Sequence, residues 1–105
     1  MKYQVKYKIW FEKDGKFLLG EGSADLLSKI DELGSISHAS KAANISYKKA
    51  WKIIREIEDL TGETLIISKR GGAKGGGTTL TKMGKKILYK YRELDEKIKK
   101  CLKEE

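Results

Sequence analysis

The sequence predicts an α+β fold, mainly helical, in one domain that spans residues 1–105. Apolar and polar residues alternate over residues 3–19, which is the period of a β-strand. Apolar residues then recur at three- and four-residue spacing in four segments, which is the period of a helix. The chain has no proline and 11 glycines, so long helices are permitted and glycine supplies the turns. The predicted parts are an N-terminal hairpin (1–20), three helices (23–61), a second hairpin (65–80) and a C-terminal helix (81–105).

The N-terminal hairpin is predicted from the pair Asp14-Gly15, a favoured tight turn, at the centre of the alternating segment. A two-stranded hairpin is marginal alone, so it must lean on helices or on a second copy of the chain. Trp10 points to the side opposite the apolar one. Its ring could cover a helix or a partner, and structural packing within the chain is the favoured interpretation. That apolar side carries Tyr3, Val5, Tyr7, Ile9, Phe11, Phe17 and Leu19.

The first two helices are predicted from their caps and apolar spacing. Ser23 is expected to cap a helix that ends at Gly34, and Ser37 is expected to cap a short one that ends at Asn44. Only Asn44 and Ile45 separate the short helix from the next cap, Ser46, which is the spacing of a helix-turn-helix. The expected core residues are Leu26, Leu27, Ile30 and Leu33 on the first helix, with Ala39, Ala42 and Ala43 at the crossing.

The third helix, residues 46–60, is predicted to have an apolar and a basic side, and Thr61-Gly62 ends it. The apolar side consists of Tyr47, Ala50, Trp51, Ile54 and Ile57; the basic side has Lys48, Lys52 and Arg55. A charged side alone is usually a solvated surface. Its position after a short alanine-rich helix and before a basic glycine-rich loop favours a helix that reads DNA. Trp51 falls on the apolar side, so it is interpreted as core rather than as a stacking platform.

The second hairpin is predicted from Leu65, Ile66 and Ile67, a buried strand, and from a return strand at Thr78, Thr79 and Leu80. The connecting loop, residues 71–77, contains five glycines. A nucleotide-binding loop would end in Gly-Lys-Ser/Thr and open a helix, which this loop does not do. A hairpin in this position is a wing. We expect its backbone to approach a duplex, with Lys69, Arg70 and Lys74 on the phosphates; a flexible surface loop is the alternative.

The C-terminal helix is predicted to begin after Thr81 and to carry an apolar seam at alternating four- and three-residue steps. Such a seam predicts a homodimer, and packing on its own domain is the alternative. Cys101 is interpreted as a seam residue rather than as a nucleophile. The predicted dimerisation residues are Ile87, Tyr91, Leu94, Ile98 and Cys101.

Composition narrows the possible partners and chemistry. A formal net charge of +8 favours a polyanionic partner, with nucleic acid first. The sequence contains neither a signal-peptide core nor an apolar run of membrane-spanning length, so a cytoplasmic location is expected. One cysteine without a Cys/His cluster predicts neither metal nor cofactor, and one histidine without a triad predicts no enzyme activity.

Residues 8–92 resemble the N-terminal winged helix-turn-helix domain of the ModE family of molybdate-responsive regulators, within the LysR-like group. The resemblance implies a dimer that reads a palindromic DNA site through the third helix and the wing. Molybdate-sensing ModE proteins carry a further C-terminal oxyanion-binding domain. We expect no such domain in this chain, so molybdate binding is not supported by it. The resemblance is carried by Leu26, Leu27, Ile30, residues 34–37, Ala39, Ala42, Ala43, residues 46–51, the loop 71–77, Leu80, Thr81 and Gly84.

The sequence therefore predicts a winged helix-turn-helix that binds double-stranded DNA sequence-specifically as a homodimeric transcriptional regulator. Helix 46–60 is expected in the major groove and the wing, residues 69–78, on the backbone or in the minor groove. There are two alternatives. The chain could be a nonspecific architectural nucleic-acid-binding protein, or it could be an interaction module that binds an acidic protein and does not bind DNA. Ser40 is a further expected phosphate contact. The predicted DNA-binding residues are Ser35, Ser37, His38, Ser46, Tyr47, Lys48, Lys49, Lys52, Arg55, Lys69, Arg70 and Lys74.

Overall fold

Short antiparallel hairpins alternate with helices in the computed structural model, which describes residues 1–69 and 77–103. This arrangement confirms the α+β, mainly helical fold class. Within the described residues, no helix is both long and apolar enough to span a membrane. In chain order the elements are β1 (Phe11–Lys13), β2 (Lys16–Leu19), α1 (Glu21–Leu33), α2 (Ile36–Ala42), α3 (Tyr47–Thr61), β3 (Ile66–Lys69), β4 (Gly77–Leu80) and α4 (Lys82–Lys103).

The N-terminal hairpin turns where the sequence predicts. Asp14 and Gly15 both have positive φ, 52° and 75°, as a two-residue type I′ turn requires. The predicted strand from residue 3 is wrong, because strand structure begins only at Phe11. Its partner β2 ends at Leu19, which pairs with Phe11, and Gly20 already caps α1. Residues 3–10 therefore have no strand of this hairpin opposite them.

The segment before β1 lies instead along α4. Tyr7 Oη donates to Asp95 Oδ1 at 2.6 Å, and Tyr91 Oη donates to the Ile9 carbonyl at 3.2 Å. Ile9 packs against the core, whereas Trp10 is 50% exposed and donates to Glu12 Oε2 at 3.0 Å. Trp10 is expected to pack within the chain, and its packing contacts lie at the surface rather than in the core.

The contact between Tyr7 and Asp95 makes stability depend on pH. Desolvation beside α4, the hydrogen bond to Asp95 and the charges of Asp95 and Glu96 raise the pKa of Tyr7 from 10.0 to about 12. The phenol therefore ionises more easily in the unfolded chain than in the folded one. Its contribution to the free energy of unfolding is complete below about pH 10 and is lost between about pH 10 and 12. We expect Tyr7→Phe to differ from the unsubstituted chain in free energy of unfolding at about pH 9 and to differ less at about pH 11.5. Urea denaturation at both values measures this difference, and an unchanged difference would contradict it.

Helix α1 begins two residues before Ser23, so the prediction that Ser23 is its cap is wrong. Gly20 is the N-cap, and its backbone N–H donates to Ser23 Oγ at 2.8 Å. Gly34 ends the helix with φ 68°, which confirms that prediction. Leu33 is 44% exposed and not a core residue, whereas Leu26, Leu27 and Ile30 are fully buried.

The core surrounds the buried side of α1, which contacts α2, α4, β2 and β4. Its largest fully buried side chains come from both hairpin regions and from three helices, so the hairpins and helices share one core. These side chains are Leu19, Leu26, Leu27, Ile30, Ile54, Leu65 and Leu88.

Candidate nucleic-acid interface

The turn between α2 and α3 is built from local hydrogen bonds. Asn44 adopts φ 57°, and the N–H groups of Asn44 and Ile45 donate to the carbonyls of Lys41 and Ser40, both at 3.0 Å. This is the Schellman pattern at the end of a helix. Ala39 and Ala50 are fully buried at the crossing, which confirms the helix-turn-helix, although Ala42 is exposed.

Both helices begin with a serine cap. Ser46 Oγ accepts from the Lys49 N–H at 3.0 Å, as predicted. On α2 the cap is Ser35, whose Oγ accepts from the His38 N–H at 3.1 Å. The prediction that Ser37 is the cap is therefore wrong by two residues, because the hydroxyl that reaches the free N–H belongs to the residue before the helix.

Ser37 and His38 lie exposed in the first turn of α2. Ser40 does not, since it is 2% exposed and its hydroxyl donates to the Ser37 carbonyl at 2.8 Å. The expected phosphate contact at Ser40 is wrong for this reason.

Helix α3 has one buried and one basic side, as predicted. Ala50 and Ile54 are fully buried and Ile57 is 2% exposed. The exposed side carries the basic residues Lys48, Lys49, Lys52 and Arg55. Among the ion pairs of the described residues, α3 takes part in one, Lys52–Glu56 at 4.0 Å between exposed side chains, which contributes little. The positive charge of this side is therefore largely free to meet a polyanion.

Tyr47 departs from the predicted apolar side, because it is 54% exposed. Its ring lies edge-on to Trp51, with centroids 6.3 Å apart and an interplanar angle of 75°. The Arg55 guanidinium carbon lies 5.3 Å from the centroid of the Trp51 ring. Trp51 is half-buried and packs against the core. We call Tyr47, Trp51 and Arg55, which follow one another at four-residue spacing along α3, the aromatic column.

The wing is tied to the helices at its base. Strands β3 and β4 pair antiparallel from Ile66 with Leu80 to Lys69 with Gly77. The Thr78 N–H donates to the Gly34 carbonyl at 2.8 Å, and the Leu65 N–H donates to Glu58 Oε2 at 2.9 Å.

Burial in the wing differs from the prediction at one residue. Leu65 is fully buried as expected and Ile66 packs against the core, but Ile67 is 49% exposed because it and Ile66 face opposite sides of β3. Lys69 is exposed. The predicted contacts Arg70 and Lys74 lie outside the described residues.

Helix α4 carries the predicted seam, with one change. Tyr91 is 7% exposed, and its ring lies 5.5 Å from that of Phe11, so it belongs to the core of its own chain. Ile87 also packs against the core, whereas Leu94 and Ile98 are half-buried farther along and Cys101 is exposed. Met83 precedes Ile87 by one helical turn and is half-buried as well. Met83 also packs against the core.

Comparison with known proteins identifies the family. A model of the bacterial regulatory helix-turn-helix proteins of the lysR family matches residues 24–85, more than half of the chain. The chain belongs to this lysR family. The match extends from α1 through the helix-turn-helix and the wing into α4, so it contains the helices and the hairpin that the sequence assigned to DNA binding.

Within the lysR family, this chain is similar to part of the ModE proteins. It is 43% identical over 70 residues to the molybdenum transport protein ModE of Azotobacter vinelandii, covering 67% of this chain and 26% of that protein. It is 42% identical over 66 residues to the DNA-binding transcriptional dual regulator ModE of Escherichia coli, covering 63% and 25%. The chain thus spans about a quarter of the length of these relatives.

The fold is also that of a solved structure. ArgP from Mycobacterium tuberculosis superposes with a TM-score of 0.61 at 18% identity, covering 80% of this chain and 30% of that chain. At this identity the likeness concerns the fold alone.

Proposed function

We propose that this chain binds double-stranded DNA sequence-specifically as the DNA-reading part of a homodimeric transcriptional regulator. The observation that carries the proposal is the exposed basic side of α3, which begins at the Ser46 cap and is held against α2 by a tight turn. A relative that is 42% identical is named as a DNA-binding transcriptional regulator. The proposal extends that activity to this chain.

Helix α3 would lie in the major groove with its first turn nearest the bases. Lys48 and Lys49 in that turn can donate to guanine O6 and N7. Lys52 and Arg55 lie one and two turns farther along, where phosphates or deeper bases are within reach. The side chains of Ser37 and His38 lie at the start of α2 and would contact the backbone.

The wing would meet the phosphate backbone or the minor groove beside α3. Lys69 is exposed at the end of β3, and Arg70 and Lys74 follow it in sequence. Lysine and arginine on phosphates fix register and add affinity without reading bases. Hydrogen bonds of the wing base to α1 and α3 support this role, because they fix the direction in which the hairpin leaves the domain.

Two copies would associate through an apolar stripe of α4, formed by the half-buried Met83, Ile87, Leu94 and Ile98 and by the exposed Cys101. Tyr91 is left out because only 7% of it is exposed within its own chain. A two-fold dimer presents two α3 helices to two half-sites, which are expected about one helical turn, roughly 34–36 Å, apart.

Competition binding tests the proposal. A preferred duplex is first selected from random sequences with the purified protein, and its affinity is compared with that for unselected duplex at physiological salt. A specific reader should prefer the selected duplex by about a thousandfold or more. Equal, salt-sensitive affinities would instead indicate an architectural protein, and no duplex binding at all would indicate a protein-interaction module.

We predict that Lys49→Ala lowers the preference of the protein for its selected duplex. The loss should be about 1–3 kcal/mol if the ammonium donates to a guanine, and it should be larger on the selected duplex than on random DNA. Lys97→Ala on α4 is the matched control, since it removes the same charge from a residue paired with Glu93 at 3.0 Å. Fluorescence anisotropy on both duplexes measures the effect. Equal losses on both would reassign Lys49 to a phosphate.

A further inference from the structure

We propose that Tyr47 reads the 5-methyl group of a thymine in the major groove and that Trp51 is the positioning residue that holds its ring there. The inference rests on the proposed function and adds a base and a chemical group to it. It is carried by the aromatic column, in which an exposed ring at the start of α3 is braced by a half-buried one.

Exposure and position make Tyr47 a candidate for base contact. It is the first residue of α3, directly after the Ser46 cap, so it lies in the turn expected nearest to the bases. About half of its surface is exposed, at 54%, so its ring is accessible to a bound duplex. Burial of that ring against DNA would be favourable.

Trp51 restricts where the ring can lie. It packs against the core on one side, and its ring meets Tyr47 edge-on at 6.3 Å. The Arg55 guanidinium lies against the same indole at 5.3 Å. The core and Arg55 thus hold Trp51 in place, and its ring limits the freedom of Tyr47, so less conformational entropy is lost when Tyr47 contacts DNA.

Thymine is the base whose chemistry fits an apolar ring. Among the four bases, it alone presents a methyl group in the major groove, and apolar side chains contact that group. Lys48 and Lys49 beside Tyr47 supply donors for guanine. The first turn of α3 would thus combine two kinds of readout, one polar and one apolar.

Deoxyuridine substitution tests this contact, because it removes the thymine methyl and changes little else. Each thymine of the selected duplex is replaced in turn, and dissociation constants are measured for the unsubstituted chain, Tyr47→Phe and Tyr47→Ala. We expect one position in each half-site at which the unsubstituted chain binds about fourfold more weakly, the value for one buried methyl group. Tyr47→Phe should retain this sensitivity. Tyr47→Ala should bind the thymine duplex more weakly and lose the sensitivity at that position alone.

Several outcomes would overturn the inference while the proposed function stands. A selected duplex without a deoxyuridine-sensitive position, or one whose sensitivity persists in Tyr47→Ala, would mean that the ring does not contact the methyl. A loss in Tyr47→Phe as large as in Tyr47→Ala would assign the contact to the hydroxyl. If no duplex is preferred over random DNA, the proposed function itself fails.

The positioning role of Trp51 has its own test. Trp51→Phe keeps an aromatic edge for Tyr47 and should retain sensitivity to deoxyuridine, whereas Trp51→Leu should reduce it at the same position. Thermal melting by circular dichroism checks that both variants are folded at the temperature of the binding assay. Equal sensitivity in the two variants would remove Trp51 from the proposal.

Discussion

Ile98→Asp is expected to convert the proposed dimer into a monomer and to weaken binding to the selected duplex by about a hundredfold or more. Ile98 is half-buried within a single chain, on the side of α4 that carries Leu94 and Met83. A carboxylate there would be buried without a partner in the dimer, which is costly. Loss of the dimer also removes the gain from linking two binding modules, which is about 10² to 10⁴. Light scattering measures the oligomeric state and anisotropy measures the affinity.

Lys100→Ala is the control for this change. It lowers the net charge by the same one unit within the same turn, but Lys100 is turned about 200° from Ile98 around the helix, away from the stripe. It should leave the dimer intact and change DNA affinity little. A dimer that persists in Ile98→Asp would move the interface to another surface, and the N-terminal hairpin would be the next candidate.

The helix-turn-helix could be predicted from sequence because its signals are local. Ser46 and Asn44 each act within a few residues of their own position, one by accepting a backbone N–H and the other by adopting a positive φ. Gly34 and Gly62 end helices for the same reason, at φ 68° and 72°. The candidate DNA-reading residues on α3 followed, since a helix with known ends has a known exposed side.

Two of the wrong predictions, the strand at residues 3–10 and the exposure of Tyr91, depended on contacts between distant parts of the chain. Residues 3–10 alternate like a strand, but pairing requires a neighbouring strand, and β2 is only four residues long. Tyr91 has the spacing of a seam residue, but Phe11 and Ile9 reach it from 80 or more residues away and bury it. Spacing alone indicates which side of a helix is apolar. It does not indicate whether that side is covered by the same chain or by a second copy.

The N-terminal segment contacts α4, which the sequence pattern does not predict. Tyr7 meets Asp95 on the same helix that carries the proposed dimer stripe. The pKa of Asp95 is lowered, chiefly by the hydrogen bond from Tyr7 and also by Lys99. The segment thus braces α4 at Asp95, between Leu94 and Ile98 of the proposed dimer stripe.

Gly84→Ala is expected to destabilise the fold by about 1–3 kcal/mol, as overpacking does, even though alanine forms helix better than glycine by about 1 kcal/mol. An alanine Cβ at this position would lie 2.8 Å from the Leu65 carbonyl oxygen and 3.3 Å from Leu80 Cβ. That carbonyl also accepts from the Thr81 N–H at 2.9 Å, so it is held in place and α4 would have to move away. Urea denaturation followed by circular dichroism measures the change.

Gly22→Ala on α1 is the control, because nothing lies within 4 Å of the Cβ that it would gain. It should be neutral or slightly stabilising, so the two substitutions are expected to differ in sign. Equal effects would mean that the close contact at Gly84 does not constrain the helix. Because only Thr81 separates β4 from α4, a displacement of α4 at Gly84 would also move the wing relative to α3. Gly84→Ala should therefore weaken DNA binding even at temperatures where it remains folded, whereas Gly22→Ala should not.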